Sequence, residues 1–487
     1  MASGITSFGV YVPYQRLQRK LIEGGVADGG TRSVASYDED TTSMGVEAAR
    51  RALAQDRCEG SVDRLYFATS YPAYLDKTNA TAIHAALGLP RTAGAYDLGG
   101  AVRSGIGALR AAVDGAAAGR HVLAVTSDVR NGLAGSRDET EGGDAAAAFV
   151  FGSGPVLATL IGESTTTDEI LDRWRAPGEV GAHRWEPRFA EDVLVSLAED
   201  AVAEAFKEAS LSPGQVDHLI VCGSHDRAIR RLRRSIGTKA DAVVDDLTTV
   251  LGNPAAAQPG VILADVLDRA RPGEVVVVVT VADGADVLIF RTTDALAEFQ
   301  SEKSVQRQIE SCSPELPYST FLTWRGLLQR EPPSRPDPTR PAAPPSHRAE
   351  SWKFGFAGSR CNACGTMHVP PDRICLECHA VDNMSIERLS DRAATVVTFT
   401  IDHLAYSLSP PTVLVVIDFD GGGRLQCELT DVAVEEVAVG QRVEMSFRRL
   451  YTAEGVHNYF WKATPVRATT ADRGDAQEAD GSSAVAG

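Results

Sequence analysis

Positive charge is what this 487-residue chain is shortest of. It has 48 lysines and arginines against 65 aspartates and glutamates, a net charge of −17. That balance argues against a general nucleic-acid or anionic-membrane binder, because both need basic surface. No apolar run approaches the roughly 20 residues that span a bilayer. The opening residues Met1-Ala2-Ser3-Gly4-Ile5 lack a basic region followed by an apolar one, so no signal peptide is expected. Cysteine is sparse. Four of the eight sit in one cluster and the others are scattered, which fits a reduced cytoplasm and a metal site better than a disulfide framework. Cysteine is also missing from the stretch around which the chain is organised, Tyr96 to Leu109.

That stretch, Tyr96-Asp97-Leu98-Gly99-Gly100-Ala101-Val102-Arg103-Ser104-Gly105, is a small-residue turn between an apolar run and an Ala-rich helix over 108–118. Such a turn lets a substrate approach the backbone and aims the first N–H groups of the helix at it. Around it, Ile5–Val12 reads as a strand, Thr41–Ala54 as a helix capped by Asp40 or Thr41, and Asp63–Ser70 and Gly119–Thr126 as buried strands. Gly142-Gly143-Asp144 turns into a further strand. The pattern then repeats: Asp217–Ser224 and Gly273–Thr280 match the 63 and 119 strands at the same offset of 154. An internal duplication of alternating strands and helices implies a layered α/β fold. It places Gly99 in register with Asn253 and brings the loops at Val102, His225 and Asn253 to one end of the strands, where open α/β sheets bind ligands.

Ala297–Ile309 is expected to be helical. Tyr318, Phe321, Leu322, Trp324, Leu327 and Leu328 form an amphipathic patch for docking, and 331–345 is a Pro-rich, semi-extended linker. Cys361, Cys364, Cys375 and Cys378 have the CxxC-x10-CxxC spacing of two knuckles around one structural Zn²⁺; a redox-active pair is the rival reading, and His368 and His379 are bystanders. Five short strands between 394 and 465, separated by Gly and Pro turns, suggest an OB-type barrel. The tail from 468 is polar and expected to be disordered. The domain boundaries are therefore 1–150 and 151–310 for the two halves, then 311–350 for a helical segment and linker, 351–392 for the ribbon, 393–467 for the barrel and 468–487 for the tail.

With these residues in view, the chain resembles the thiolase superfamily, in particular 3-hydroxy-3-methylglutaryl-CoA synthase and ketoacyl-ACP synthase III. The segments that carry this are 4–13, the Asp97 turn, Gly143-Asp144, His225 and Gly252-Asn253, with Trp174-Arg175 to Phe189 similar to the synthase branch. The C-terminal part is similar to rubredoxin-like zinc-ribbon plus OB-fold proteins. The resemblance implies a duplicated αβαβα fold, a homodimer, a CoA-thioester or acyl-carrier substrate and a thiolase-like partner. It also implies a catalytic cysteine where this chain has Val102, and an acid/base glutamate where it reads Ala68-Thr69-Ser70-Tyr71-Pro72.

His225 and Asn253 match the family's oxyanion and activating positions, although a satisfied loop histidine and a capping asparagine fit the same residues. Ser104 is a candidate displaced nucleophile or a helix cap, and Tyr71, Tyr74 and Asp76 line the loop of the missing glutamate. Cys58, Cys222 and Cys427 read as inert core. Arg227, Arg230, Arg231 and Arg234 lie on one helical face suited to the diphosphate of coenzyme A, or simply to water. The expected function is a CoA-dependent acyltransferase or C–C bond-forming enzyme without the usual cysteine. A retro-aldol lyase on a CoA thioester and a non-catalytic scaffold subunit are the alternatives.

Overall fold

A computed structural model describes residues 3–22, 29–58, 60–301, 303–313, 315–334, 336 and 338–467. The described part divides into two units, the first mainly 1–306 with 314–328, the second mainly 329 onward.

The duplication is written into the hydrogen-bond register of the first unit. Its sheet strands are β1 (Ser3–Tyr11), β2 (Arg64–Thr69), β3 (Gly94–Gly99), β4 (Val122–Val129), β5 (Asp144–Ser153), β6 (Ala158–Thr167), β7 (His218–Gly223), β8 (Val275–Val281) and β9 (Gly284–Thr292). β2 and β4 pair in parallel with Arg64 opposite Val122, and β7 and β8 pair in parallel with His218 opposite Val276. Both partners are displaced by the 154 residues read from the sequence (218 against 64, 276 against 122). The nine strands form one sheet in the order β7-β8-β9-β6-β1-β5-β4-β2-β3, with β1 and β6 meeting at the centre. Among the described residues the second half has no counterpart of β3; in its place Val243 makes a single bridge to Leu219.

Helices cover both faces, which is why the inner strands read as unbroken apolar runs rather than alternating ones. β8 is five valines, Thr280 and Val281, all buried. Each such aliphatic side chain is worth roughly 1.5–3 kcal/mol when fully buried. α1 (Thr41–Ala54) begins at Asp40, whose carboxylate accepts from the Ser43 N–H, while the Ser43 hydroxyl accepts from the Asp40 N–H. This capping box satisfies two orphan donors at once. The helix of the central turn, α2 (Ser104–Ala117), starts four residues before the expected 108.

Two expectations need correction. Residues 297–309 are not one helix: between a 3-10 turn, Asp294–Glu298, and a short helix, Val305–Glu310, residues 299–301, 303 and 304 are not helical. Thr293 caps the 3-10 turn through its hydroxyl, and that turn closes at Phe299, whose ring leaves to pack on Phe8 at 4.6 Å. The Pro-rich segment is not extended to its end either. Ala343–Arg348 is helical, its prolines falling in the first turn, where a missing N–H costs nothing. The amphipathic patch docks within the first unit: Phe321 and Leu316 are buried with Leu17, Ile22 and Val34, and Tyr318, Leu322 and Trp324 pack beside them.

In the second unit, Ala357–Cys361, Met367–His368 and Met384–Arg388 form a three-stranded sheet at the cysteine cluster. Ala394–Asp402, Thr412–Phe419, Arg424–Leu429, Arg442–Ala453 and Val456–Pro465 close into a barrel. Phe447 and Trp461 meet edge-to-face at its core, 5.4 Å apart. The 468–487 tail lies outside the described residues. Among the described residues no helix is long and apolar enough to cross a membrane.

Candidate active site

β3 delivers the chain to the central turn. Gly100 adopts φ +95°, which a side chain would strain, and α2 begins at Ser104. Gly105 is required by contact rather than conformation: a Cβ there would lie 1.9 Å from the Ala256 carbonyl oxygen of the second half. The turn is thus clamped against its symmetry mate, and Val102 is buried against Ala255 and Ala282.

Two cavities open beside this clamp. One, of about 100 Å³, is lined by Val102 with Ser70, Arg130, Arg173, Ser224 and Asp283. The other, of about 190 Å³, is lined by Arg130, Asp138, Arg184, Arg230, Asn253 and Gln258, among others. Arg130 and Ser224 border both. None of the described residues lining either cavity is a cysteine.

The wall between them is built from arginines. Arg173 grips Asp138 with both arms of its fork, at 2.9 and 2.6 Å. Arg184 reaches the same carboxylate at 3.1 Å and Arg130 at 3.5 Å. A two-stranded hairpin, Arg173–Trp174 paired with His183–Arg184, sets Arg173 opposite Arg184, and Trp174 stacks on His183 at 5.4 Å. Asp144 of the Gly-Gly-Asp turn anchors the third: its carboxylate accepts from the Arg130 N–H at 2.9 Å. Burial opposes the charge on Asp138, but Arg173 and its neighbours outweigh it and hold the carboxyl at about 2. Burial, with help from Arg173, brings Arg130 down to about 10.

Asp283 sits in the β8–β9 turn at φ +52°, a left-handed conformation that aspartate tolerates better than most residues. Burial pushes its carboxyl above the usual aspartate range, against the nearby Arg103. On the same cavity, the Ser70 hydroxyl donates to the fully buried Asp128 at 2.6 Å, and Asp128 also accepts the Ala256 N–H. The resemblance places a glutamate in this loop, Ala68-Thr69-Ser70-Tyr71-Pro72. Tyr71 carries the Arg175 guanidinium over its ring at 4.8 Å.

The expected site residues are not all brought together. His225 caps the helix Asp226–Ser235: its Nδ1 accepts from the Ala228 N–H, and its Nε2 lies 2.9 Å from the Pro187 carbonyl. Asn253 donates to the Gly223 carbonyl at 2.8 Å and accepts from the Ala255 N–H. Both side chains hold the loop that ends in Ser224, and neither lines the cavity at Val102. Ser104 lines neither cavity. On the basic helix, Arg227 pairs with Glu191 and Arg231 with Asp192, whereas Arg230 faces the larger cavity. Arg234 lies on the exposed surface. Sequence reasoning missed Arg130, Asp138, Arg184 and Asp283. The stretch from Trp174 to Trp185, bounded by the pairs Trp174-Arg175 and Arg184-Trp185, was a signal for Arg184 alone.

Of the remaining cysteines, Cys222 is buried and burial pushes it up to about 12; burial likewise raises Cys427 to about 12. Cys58 is half-buried, and burial raises it too. In the second unit, the four ribbon thiols lie within 4.8 Å of one another. Cys361 and Cys378 sulfurs are 3.6 Å apart and those of Cys364 and Cys375 3.5 Å. Ligands at 2.3 Å from a tetrahedral zinc stand about 3.8 Å from each other, so the set fits one ion.

Sheet order, clamped central turn and cavity together define a thiolase-type α/β protein. Solved structures agree on this fold. A 3-hydroxy-3-methylglutaryl-CoA synthase complexed with CoA matches with a TM-score of 0.55 at 16% identity, over 66% of this chain and 89% of that one. The 3-oxoacyl-[acyl-carrier-protein] synthase III of Aquifex aeolicus matches with a TM-score of 0.53 at 19% identity, over 59% and 99%. The sequence goes further. It is 30% identical over 348 residues to the hydroxymethylglutaryl-CoA synthase of Aeropyrum pernix, covering 67% of this chain and 95% of that protein. To the synthase of Methanocella arvoryzae it is 27% identical, covering 68% and 100%. The chain belongs to the hydroxymethylglutaryl-CoA synthase family. Its barrel matches the family model described as ChsH2, C-terminal OB-fold domain, over residues 387–448.

Proposed function

We propose that this protein is a CoA-dependent acyltransferase or C–C bond-forming enzyme that works without an acyl-enzyme at the central turn. The observation that carries the reading is the cavity at Val102, whose described lining includes a carboxyl, Asp283, and no thiol. A thioester bound with its carbonyl beside Val102 has no nucleophile there to take the acyl group. A carboxylate can instead accept the proton from the carbon next to the carbonyl, leaving an enolate whose carbon adds to the carbonyl of a second substrate, the alkoxide so formed taking the proton back. Ser224, common to both cavities, is the neutral donor for the oxygen that gains charge. His225 and Asn253 serve as positioning residues for the Ser224 loop. Retro-aldol cleavage of a CoA thioester is the same chemistry run backwards.

Incubation with acetyl-CoA and intact-mass measurement checks the covalent question. The expected result is no acyl adduct on the chain. A stable adduct at Ser104 or at a cysteine outside the ribbon would show that the nucleophile has moved and would overturn this reading.

The reading includes a structural zinc in the ribbon, a cytoplasmic setting and a thiolase-like partner docked through the ribbon and barrel, able to bring a cysteine. It also includes a homodimer: among the described residues β3 pairs only with β2, which leaves its outer edge open beside an exposed Tyr96. Unpaired sheet edges of this kind are templates for a second strand. Light scattering at micromolar concentration is expected to give twice the 51.8 kDa chain mass; a monomer mass would exclude the dimer.

A further inference from the structure

We propose that the arginine wall between the two cavities is an anion site, which takes a carboxylate carried by the acyl group of the thioester. The inference rests on the reading above for the thioester and on charge balance for the anion. Three guanidinium groups, Arg130, Arg173 and Arg184, share one carboxylate, Asp138. Their side chains keep only 12, 15 and 29% of their exposure, and that of Asp138 keeps 7%. Charges withdrawn from water need partners, and one carboxylate neutralises only one of three.

Three further acids attract these arginines without pairing with them, Asp128 for Arg130, Asp283 for Arg173 and Glu141 for Arg184. Glu141 and Asp226 are both held by Arg137, and Asp246 by Arg233. Among the described residues, neither Asp172 nor Asp283 forms an ion pair with the three arginines. The groups are fixed as well as charged: the backbone of Arg130 is held by Asp144 at its N–H and by Arg32 at its carbonyl, both at 2.9 Å. Planar guanidinium forks suit a carboxylate or a phosphate oxygen pair equally. The carboxylate is favoured because Arg130 and Arg173 line the same small cavity as Val102, within the reach of a short acyl chain.

Calorimetric titration of the full chain with acetyl-CoA, succinyl-CoA and free CoA tests this. The wild type is expected to bind succinyl-CoA most tightly. Arg173→Gln and Arg184→Gln are each expected to lose about tenfold on succinyl-CoA, the worth of one charged hydrogen bond, and little on acetyl-CoA. Arg184→Lys should recover part of the loss. Asp138→Asn is the control for folding: it leaves the arginines less neutralised and should tighten succinyl-CoA binding, whereas purely structural arginines would make it weaken. Equal losses on all three ligands would assign the anion site to a phosphate of CoA and overturn the carboxylate. Unchanged affinities in variants that melt like the wild type would overturn the site altogether. If no CoA species binds the wild type, the thioester reading fails instead, and titration with succinate alone still decides the anion site: no binding there overturns it.

Discussion

Asp283→Asn is expected to abolish the exchange of acetyl-CoA methyl protons with deuterated water, lowering its rate about 10²–10⁴-fold, the usual worth of a positioned general base. Asparagine tolerates the left-handed backbone of this turn as aspartate does, so the variant removes the proton acceptor and keeps the shape. The pH dependence follows from the direction of the shift. Burial raises the carboxyl, with Asp172 and Glu169 adding to it and Arg103 opposing. A base must be ionised, so exchange should fall with decreasing pH, and the fall should begin above the pH at which an ordinary aspartate protonates. Asp283→Glu should retain part of the rate. Exchange at the wild-type rate in Asp283→Asn would remove the residue from the mechanism. An absence of exchange in the wild type would remove the enolate route.

Cys375→Ser is expected to release the zinc and unfold the ribbon while the α/β unit melts unchanged. Cys375 is one of the two buried ligands. The strands around it are only five, two and five residues long, too short for a core of their own. Metal binding in such a module is its folding free energy, about 10–16 kcal/mol in zinc-finger peptides at neutral pH. Elemental analysis should find one zinc per wild-type chain. Hydrogen exchange should show residues 357–388 protected in the wild type and open in the variant. Because thiolates bind the metal and thiols do not, acid should release the zinc in the same way. A zinc-free protein with a protected ribbon would refute the assignment.

Local rules reached far into this chain. The 154-residue offset survives as an identical strand register, because two copies of one pattern bury the same faces and register follows the buried face. Asp40 caps α1, and the knuckle spacing places four sulfurs within reach of one ion, because a cap and a knuckle span only a few residues. Of the loops expected at one end of the strands, at Val102, His225 and Asn253, those of Val102 and Asn253 border two cavities that share Arg130 and Ser224, the residue before His225.

The amino-acid sequence by itself thus determined the duplicated α/β fold, the four-cysteine cluster and the barrel. Only the tertiary structure decided which side chains face the cavity. His225 and Asn253 turn to backbone partners at Pro187 and Gly223, choices set by groups about 30 or more residues distant. Arg130, Arg173 and Arg184 reach Asp138 across separations of 8, 35 and 46 residues, which no periodicity marks. Asp283 becomes a candidate base because burial beside Val102 raises its carboxyl, and burial belongs to the folded packing rather than to any stretch of chain.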